Sequence, residues 1–250
     1  MEQRKLKKLL SEMSLREKIG QMIQLTGIYF DDDAVLTGEV GEDQPPQWVT
    51  QYAGSVLGMI GAEKLRGIQK KYVEAHPHHI PLLFMADVIH GCRTIAPIPV
   101  GQACSFHPEL VRKMAGHAAA ESASEGIRAT FSPMIDVSRD PRWGRIMESF
   151  GEDPFLNGVM GTAMLRGYQG EEGKDPAGNK KIPESGIAGC LKHFAGYGAV
   201  NAGREYNDVE ISQRTFREQY LKPFRMAMHA DPAMVMTAFN AVDRRPVSGN

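Results

Sequence analysis

The chain has 250 residues, with 29 Lys and Arg against 30 Asp and Glu and a formal net charge of −1. That balance excludes nucleic acid or an anionic membrane as the main partner, and the absence of any apolar run of roughly 18 residues leaves no membrane span to expect. Three cysteines, Cys92, Cys104 and Cys190, are odd in number and widely spaced. They suit buried thiols in a reducing, cytoplasmic compartment and exclude a disulfide frame or a metal centre built on CxxC pairs.

At the N-terminus Ser14 and Glu17 have capping-box spacing and open the pattern Leu15, Ile19, Met22 and Ile23, so a leading helix is expected within 1–26. No apolar stretch of signal-peptide type follows the charged start. An acidic loop with two prolines occupies 31–48. Five short apolar runs then stand out, at 54–59, 81–86, 129–137, 187–194 and 233–239, each bounded by breakers. Between them lie helical patterns at 62–75, 108–124, 155–169 and 212–230, the last disturbed by Pro223 near its end. A polar stretch at 170–184 reads as an exposed loop excursion, because the strand pattern resumes at once.

Alternating strand and helix implies an α/β fold whose parallel strands are joined by right-handed crossovers. The runs are apolar almost throughout, as strands covered on both faces must be. Five strands do not close an eight-stranded barrel. On pattern alone the chain is either an open α/β sheet or the front portion of a larger barrel.

Chemically capable residues recur at strand ends. The second run ends in Asp87, the third in Ile135-Asp136, the fourth carries Lys192-His193, and the fifth ends in Phe239-Asn240. In a parallel barrel such ends converge on one face. After the third run comes SRDPRWGRIMESFGEDP, residues 138–154, which sets Arg139, Arg142 and Arg145 against Asp140, Glu148, Glu152 and Asp153 around Trp143. A loop this charged is costly to order unless its charges pair; paired, it makes a stiff polar wall.

A carboxylate such as Asp87 facing the donors Arg145, Lys192, His193 and Arg204, beside Trp143, Tyr197, Tyr206 and Phe239, suits a polyhydroxylated ligand such as a sugar. Phosphate is the competitor. However, no Walker-type glycine-lysine loop or glycine fingerprint is present, and neither is a serine elbow. A non-catalytic sugar-binding α/β module and a phosphate-binding α/β enzyme remain the alternatives.

The segments LFMADVIHGCRT, SPMIDVSRDPRWGRIMESFGEDP, CLKHFAGYGAVNAGREYN and AMVMTAFNAVDRRP, in this order, resemble the N-terminal barrel domain of glycoside hydrolase family 3, its bacterial β-glucosidase branch above all. The resemblance runs from about Ser14 onward. It implies that 1–250 is the N-terminal part of a (β/α)8 TIM-barrel-type domain, incomplete, with about the first five or six βα units. It also implies a retaining hydrolase of terminal β-D-glucosyl residues, with β-xylosyl residues as the near alternative. No cofactor or metal is implied, and the partner is a small carbohydrate, a β-glucoside or cello-oligosaccharide.

On the matching positions Asp87, Arg145, Lys192 and His193 would hold the sugar of the −1 subsite, Arg204 would join their ion-pair network, and Phe239 would lie near the nucleophile. Where one branch has a catalytic histidine between two glycines, this chain reads Gly196-Tyr197-Gly198, which favours the glucosidase branch. A retaining glycosidase needs two carboxyl groups roughly 5 Å apart. The nucleophilic aspartate of the family belongs to a Ser-Asp or Thr-Asp pair that 1–250 lacks, and the acid/base glutamate to a later domain. The catalytic residues are therefore expected beyond Asn250, and these 250 residues alone are expected to be inactive.

Overall fold

The computed structural model describes residues 3–31, 45–170, 173, 178 and 181–249. They fall into two compact units. One is made of Met1–Ala86 with Ser124–Ala129, the other of Asp87–Ala123, Thr130–Gly173 and the stretch from 181 on. The loop expected at 31–48 and the excursion expected at 170–184 lie mostly outside the described residues. Among the described residues no helix is long and apolar enough to cross a membrane.

The first unit runs α1 (Gln3–Glu12), α2 (Leu15–Gly20), β1 (Gln24–Thr26), α3 (Gln47–Tyr52), β2 (Ser55–Leu57), α4 (Ala62–Ala75) and β3 (Leu83–Ala86). The three strands are parallel, with Leu25 opposite Val56 and Val56 opposite Phe84. Ala53, Val56, Met59, Leu65, Tyr72, Leu82 and Phe84 form its core, inside which Tyr72 Oη donates to Ala53 O over 2.7 Å.

The single helix expected within 1–26 is instead two helices and a strand. Ser14 leaves helical geometry at ψ 165 and caps α2 through a complete box, accepting from Glu17 N while Glu17 returns a carboxylate to Ser14 N. The capping box was legible in the sequence, but it starts a second helix rather than continuing the first. Gly20 closes α2 where α3 comes too near for a side chain: a Cβ there would stand 2.4 Å from Tyr52 Cβ.

His76, just after α4, is 1% exposed and packed between the rings of Tyr52 and Tyr72. Its Nδ1 accepts from His78 N over 3.2 Å and its Nε2 has no partner. Protonation at Nδ1 would break that bond and bury a charge. Burial, then the neighbouring His78, holds its pKa below the usual 6.5, Glu17 opposing. The unfolded chain therefore binds the proton first. Stability should be flat above about pH 6.5 and fall as the pH drops below it, by at most about 1.4 kcal/mol per pH unit. Thermal melting between pH 8 and pH 5 measures this. A His76→Phe variant with the same slope would remove His76 as its source.

The second unit contains α5 (Pro99–Ala103), α6 (Pro108–Ser124), which ends at its border with the first, α7 (Pro154–Gln169), β5 (Ala188–Phe194), α8 (Gln213–Thr215), α9 (Lys222–Ala227), β6 (Met234–Thr237) and a small hairpin, Ala241–Val242 with Arg245–Pro246. The short strand β4 (Ala129–Thr130) stands where the chain passes from the first unit to the second. Asp153 caps α7, its carboxylate accepting from Leu156 N over 2.6 Å with Pro154 in the first turn.

The run 129–137 is ladder-paired strand only at β4, because Pro133 has no N–H to give. The rest still lies along β5: Cys190 N bonds Ser132 O, and Ile135 N bonds Lys192 O, both over 2.9 Å. The helix expected over 212–230 is broken into α8, a π-turn at Phe216–Tyr220, α9 and a final 3-10 turn. Pro223 cannot make the bond of a regular helix, and Leu221 N reaches five residues back, to Phe216 O.

Candidate functional site

Consecutive residues of a strand point to opposite faces, so Lys192 and His193 ought to diverge. A register shift between Leu191 and Phe194, where β5 pairs with β6, interrupts the alternation, and both side chains are buried. Lys192 Nζ, on a side chain only 4% exposed, stands 3.4 Å from Glu148 Oε2 and 3.7 Å from Asp87 Oδ1. Asp87 directly follows β3 in sequence. The next residue is anchored by Val88 N donating to Thr130 Oγ1 over 2.9 Å.

Glu148 is the shared counter-ion. Arg145 donates to both of its oxygens, Nε to Oε1 at 2.8 Å and Nη2 to Oε2 at 2.9 Å, a bidentate fork. Burial alone would raise the pKa of Glu148, but the Arg145 bonds and the Lys192 charge outweigh it and hold the group below its usual range. Burial opposes the Arg145 charge in the same way, and Glu148 overrides it, leaving that pKa raised. The loop 138–154 is thus a paired wall. Arg142 likewise forks onto Asp140, at 2.9 and 2.6 Å, and Ser138 and Ser149 share a 2.8 Å bond.

His193 is fixed by Asp136. Its ring Nδ1 and its backbone N–H both meet Asp136 Oδ2 at 2.9 Å, so Nδ1 carries the proton and Nε2 is left to meet a ligand. The ring of Tyr197 packs edge-on against His193 and Trp143 and lies 5.6 Å beneath the Arg145 guanidinium. Trp143 Nε1 donates to Glu205 Oε1 over 2.7 Å, and Tyr197 Oη donates to the other oxygen, Glu205 Oε2. Burial, followed by Glu205, raises the Tyr197 pKa well above its ordinary value.

Lys192 therefore joins Asp87 to Glu148, and Glu148 joins Lys192 to Arg145, with His193 one aromatic ring away. Phe239 lies at the edge, its ring 5.6 Å from His193 and 5.7 Å from Tyr197. Arg204 corrects the expectation: it is exposed, and among the described residues its side chain makes no ion pair. Its backbone is extended, with φ −80 and ψ 119, and it precedes Glu205, which is held by Trp143 and Tyr197. Sequence reasoning missed Glu205, and it named Glu148 and Asp136 without their partners Lys192 and His193. Glu148 and Asp136 were visible as acidic residues within motifs, but pairing across segments has no local signature. Chemically, the cluster offers charge-assisted donors, one half-exposed carboxylate and aromatic faces to a ligand rich in hydroxyl groups.

The model of the Glycosyl hydrolase family 3 N terminal domain matches residues 14–250. The chain belongs to glycoside hydrolase family 3. Family 3 relatives include the periplasmic beta-glucosidase of Salmonella typhimurium, 35% identical over 97% of this chain and 30% of its own length. A beta-xylosidase of Formosa agariphila is 31% identical over 90% of this chain and 25% of its own length. A beta-glucosidase from Listeria innocua, solved with isofagomine, superposes with a TM-score of 0.90 at 47% identity, covering 99% of this chain and 33% of that one. Its glucose complex matches with a TM-score of 0.88 at 44% identity, over 99% and 34%. This chain thus spans about a third of the length of the relatives it matches. The family 3 fold is α/β of the TIM-barrel type and incomplete here: among the described residues six parallel-sheet strands, β1 to β6, stand where a closed barrel has eight.

Proposed function

We propose that this chain supplies the −1 subsite of a retaining β-glucosidase, and that residues 1–250 are the N-terminal part of its barrel domain. The observation that carries the proposal is the chain of contacts Asp87–Lys192–Glu148–Arg145, in which Lys192 pairs with both carboxylates and Arg145 forks onto the half-buried Glu148, beside His193. Asp87 and Lys192 would grip hydroxyls of the terminal glucosyl ring, Arg145 and His193 would add donors, and Phe239 would wall the ring. That each cation is already matched by a carboxylate supports a neutral sugar over a phosphate, whose binding calls for uncompensated positive charge.

A retaining displacement forms a glycosyl-enzyme bond at the anomeric carbon as the leaving oxygen takes a proton, and water then releases the sugar with its configuration kept. The nucleophile and the acid/base carboxyl are proposed to come from outside residues 1–250, so that these residues alone turn over nothing. The test is NMR of the first product formed by the intact enzyme from an aryl β-D-glucoside, with the aryl β-D-xyloside alongside. Appearance of the β-anomer first is expected; the α-anomer, or no turnover, overturns the proposal. Turnover well above background by residues 1–250 alone would overturn the division of the site.

The cytoplasm is the proposed compartment, supported by three free thiols, Cys92, Cys104 and Cys190. One relative is named as periplasmic, and cell fractionation decides between the two.

A further inference from the structure

Asp87 is the half-exposed carboxylate of the site, yet its own side chain does little to fix it. Among the described residues it accepts no hydrogen bond, and Lys192 stands 3.7 Å away. It also lies past the end of β3, outside the strand ladder. The residue after it is held instead. Val88 is buried, and its N–H and its C=O are both taken by buried side chains from distant parts of the sequence. The N–H, which belongs to the Asp87–Val88 peptide, donates to Thr130 Oγ1 over 2.9 Å. The C=O accepts from Tyr168 Oη, in the last turn of α7, 80 residues further on. Ile89 O and Ser132 Oγ each lie 3.3 Å from the same phenol oxygen. Burial raises the Tyr168 pKa far above its ordinary value, so the phenol keeps the proton it donates.

We propose that Thr130 and Tyr168 are positioning residues, a two-point clamp on Val88 that sets the direction from which Asp87 meets the glucosyl ring. This rests on the glucosidase reading above. Buried peptide groups must be paired, but pairing alone calls for no particular partner. Thr130 and Tyr168 do more than pair. One holds the Asp87–Val88 peptide plane and the other the Val88–Ile89 plane, and two fixed planes leave the backbone between them little freedom to turn. A carboxylate with no hydrogen bond of its own takes its aim from the backbone beneath it. Aim matters in a site that must hold a sugar for reaction, where a misplacement of about 1 Å can cost about 100-fold in rate.

The test is a double-mutant cycle in the intact enzyme, read as kcat/KM for an aryl β-D-glucoside. Tyr168→Phe keeps the ring and removes the donor. It should lower kcat/KM by about fivefold, the scale of one hydrogen bond, when Asp87 is present. Added to Asp87→Ala, the same change should cost less than about twofold, because no carboxylate is left to aim. Thr130→Val, which removes the acceptor at constant shape, should show the same pattern, and Thr130→Ser should restore the activity of the parent. Equal losses with and without Asp87 would mark both residues as support for the fold alone and overturn the proposal, as would a Thr130→Ser variant no better than Thr130→Val. If Tyr168→Phe does not fold, the Thr130 variants decide by the same two comparisons. A parent that does not cleave the glucoside, or that cleaves it equally well as Asp87→Ala, overturns the reading of the site itself and the clamp with it.

Discussion

Replacing Glu148 with alanine is expected to destabilise the protein by about 3 kcal/mol. Removing one partner of a buried charge pair typically costs about 3–5 kcal/mol, because the remaining charge stays out of water uncompensated. Here two cations lose their partner, Lys192 at 4% and Arg145 at 23% side-chain exposure. The lower end of the range applies because Arg145 can reach solvent in part and Lys192 keeps Asp87 at 3.7 Å. Glu148→Gln keeps an acceptor oxygen but not the charge, and should lose about 1–2 kcal/mol. The parent should also weaken in acid. The native pKa of Glu148 lies below the ordinary 4.5, so between the two values the unfolded chain holds more protons, and stability falls as the pH drops through that window. Urea midpoints at pH 7, and again from pH 6 down to pH 3, measure both effects. An alanine variant within about 1 kcal/mol of the parent, or one with an undiminished acid slope, would show that the Arg145–Glu148–Lys192 cluster does not hold this fold together.

The parts of the fold legible in the sequence are those set by local rules. Ala62–Ala75 and Pro108–Ser124 begin and end where periodicity and breakers put them, and α7 starts on an Asp-Pro cap. The expectations that differ fail for reasons that are not local. β1 is three residues long, too short for a pattern, and gains its definition only from pairing with β2. The helix over 212–230 could be foreseen as disturbed at Pro223, but not as a π-turn upstream of it. The site divides in the same way. The groups proposed to face a ligand, Asp87, Arg145, Lys192, His193 and Phe239, could be named because each sits at or near a strand end in a recognisable motif. Of the groups that hold them, Asp136 and Glu205 depend on approaches across 57 and 62 residues, to His193 and Trp143, and Glu148 adds to its local pair with Arg145 a long-range approach to Lys192. Arg204 shows the converse: a motif position can match while its side chain stays exposed and, among the described residues, makes no ion pair.

Asp87→Ala should leave stability nearly unchanged and weaken sugar binding severely, the reverse of the Glu148 result. Asp87 is 42% exposed, and its contact with Lys192, at 3.7 Å, is a loose ion pair whose loss costs about 0–1 kcal/mol in the folded protein. A sugar seated on the cluster would change that environment, since it would cover the carboxylate and donate charge-assisted hydrogen bonds to it away from water. Losing those bonds should cost about 2–4 kcal/mol, or roughly 30- to 1,000-fold in the Kd for glucose and in kcat/KM for an aryl β-D-glucoside. Asp87→Asn, which keeps one acceptor and loses the charge, should fall between. Calorimetric titration with glucose and urea denaturation of the same variants separate the two effects. Should glucose bind the alanine variant as tightly as the parent, Asp87 is not part of the site. Should the variant instead lose several kcal/mol of stability, the carboxylate supports the fold rather than the ligand, because an exposed group at 3.7 Å from its partner cannot supply both the looseness that a ligand replaces and the pairing that a core requires.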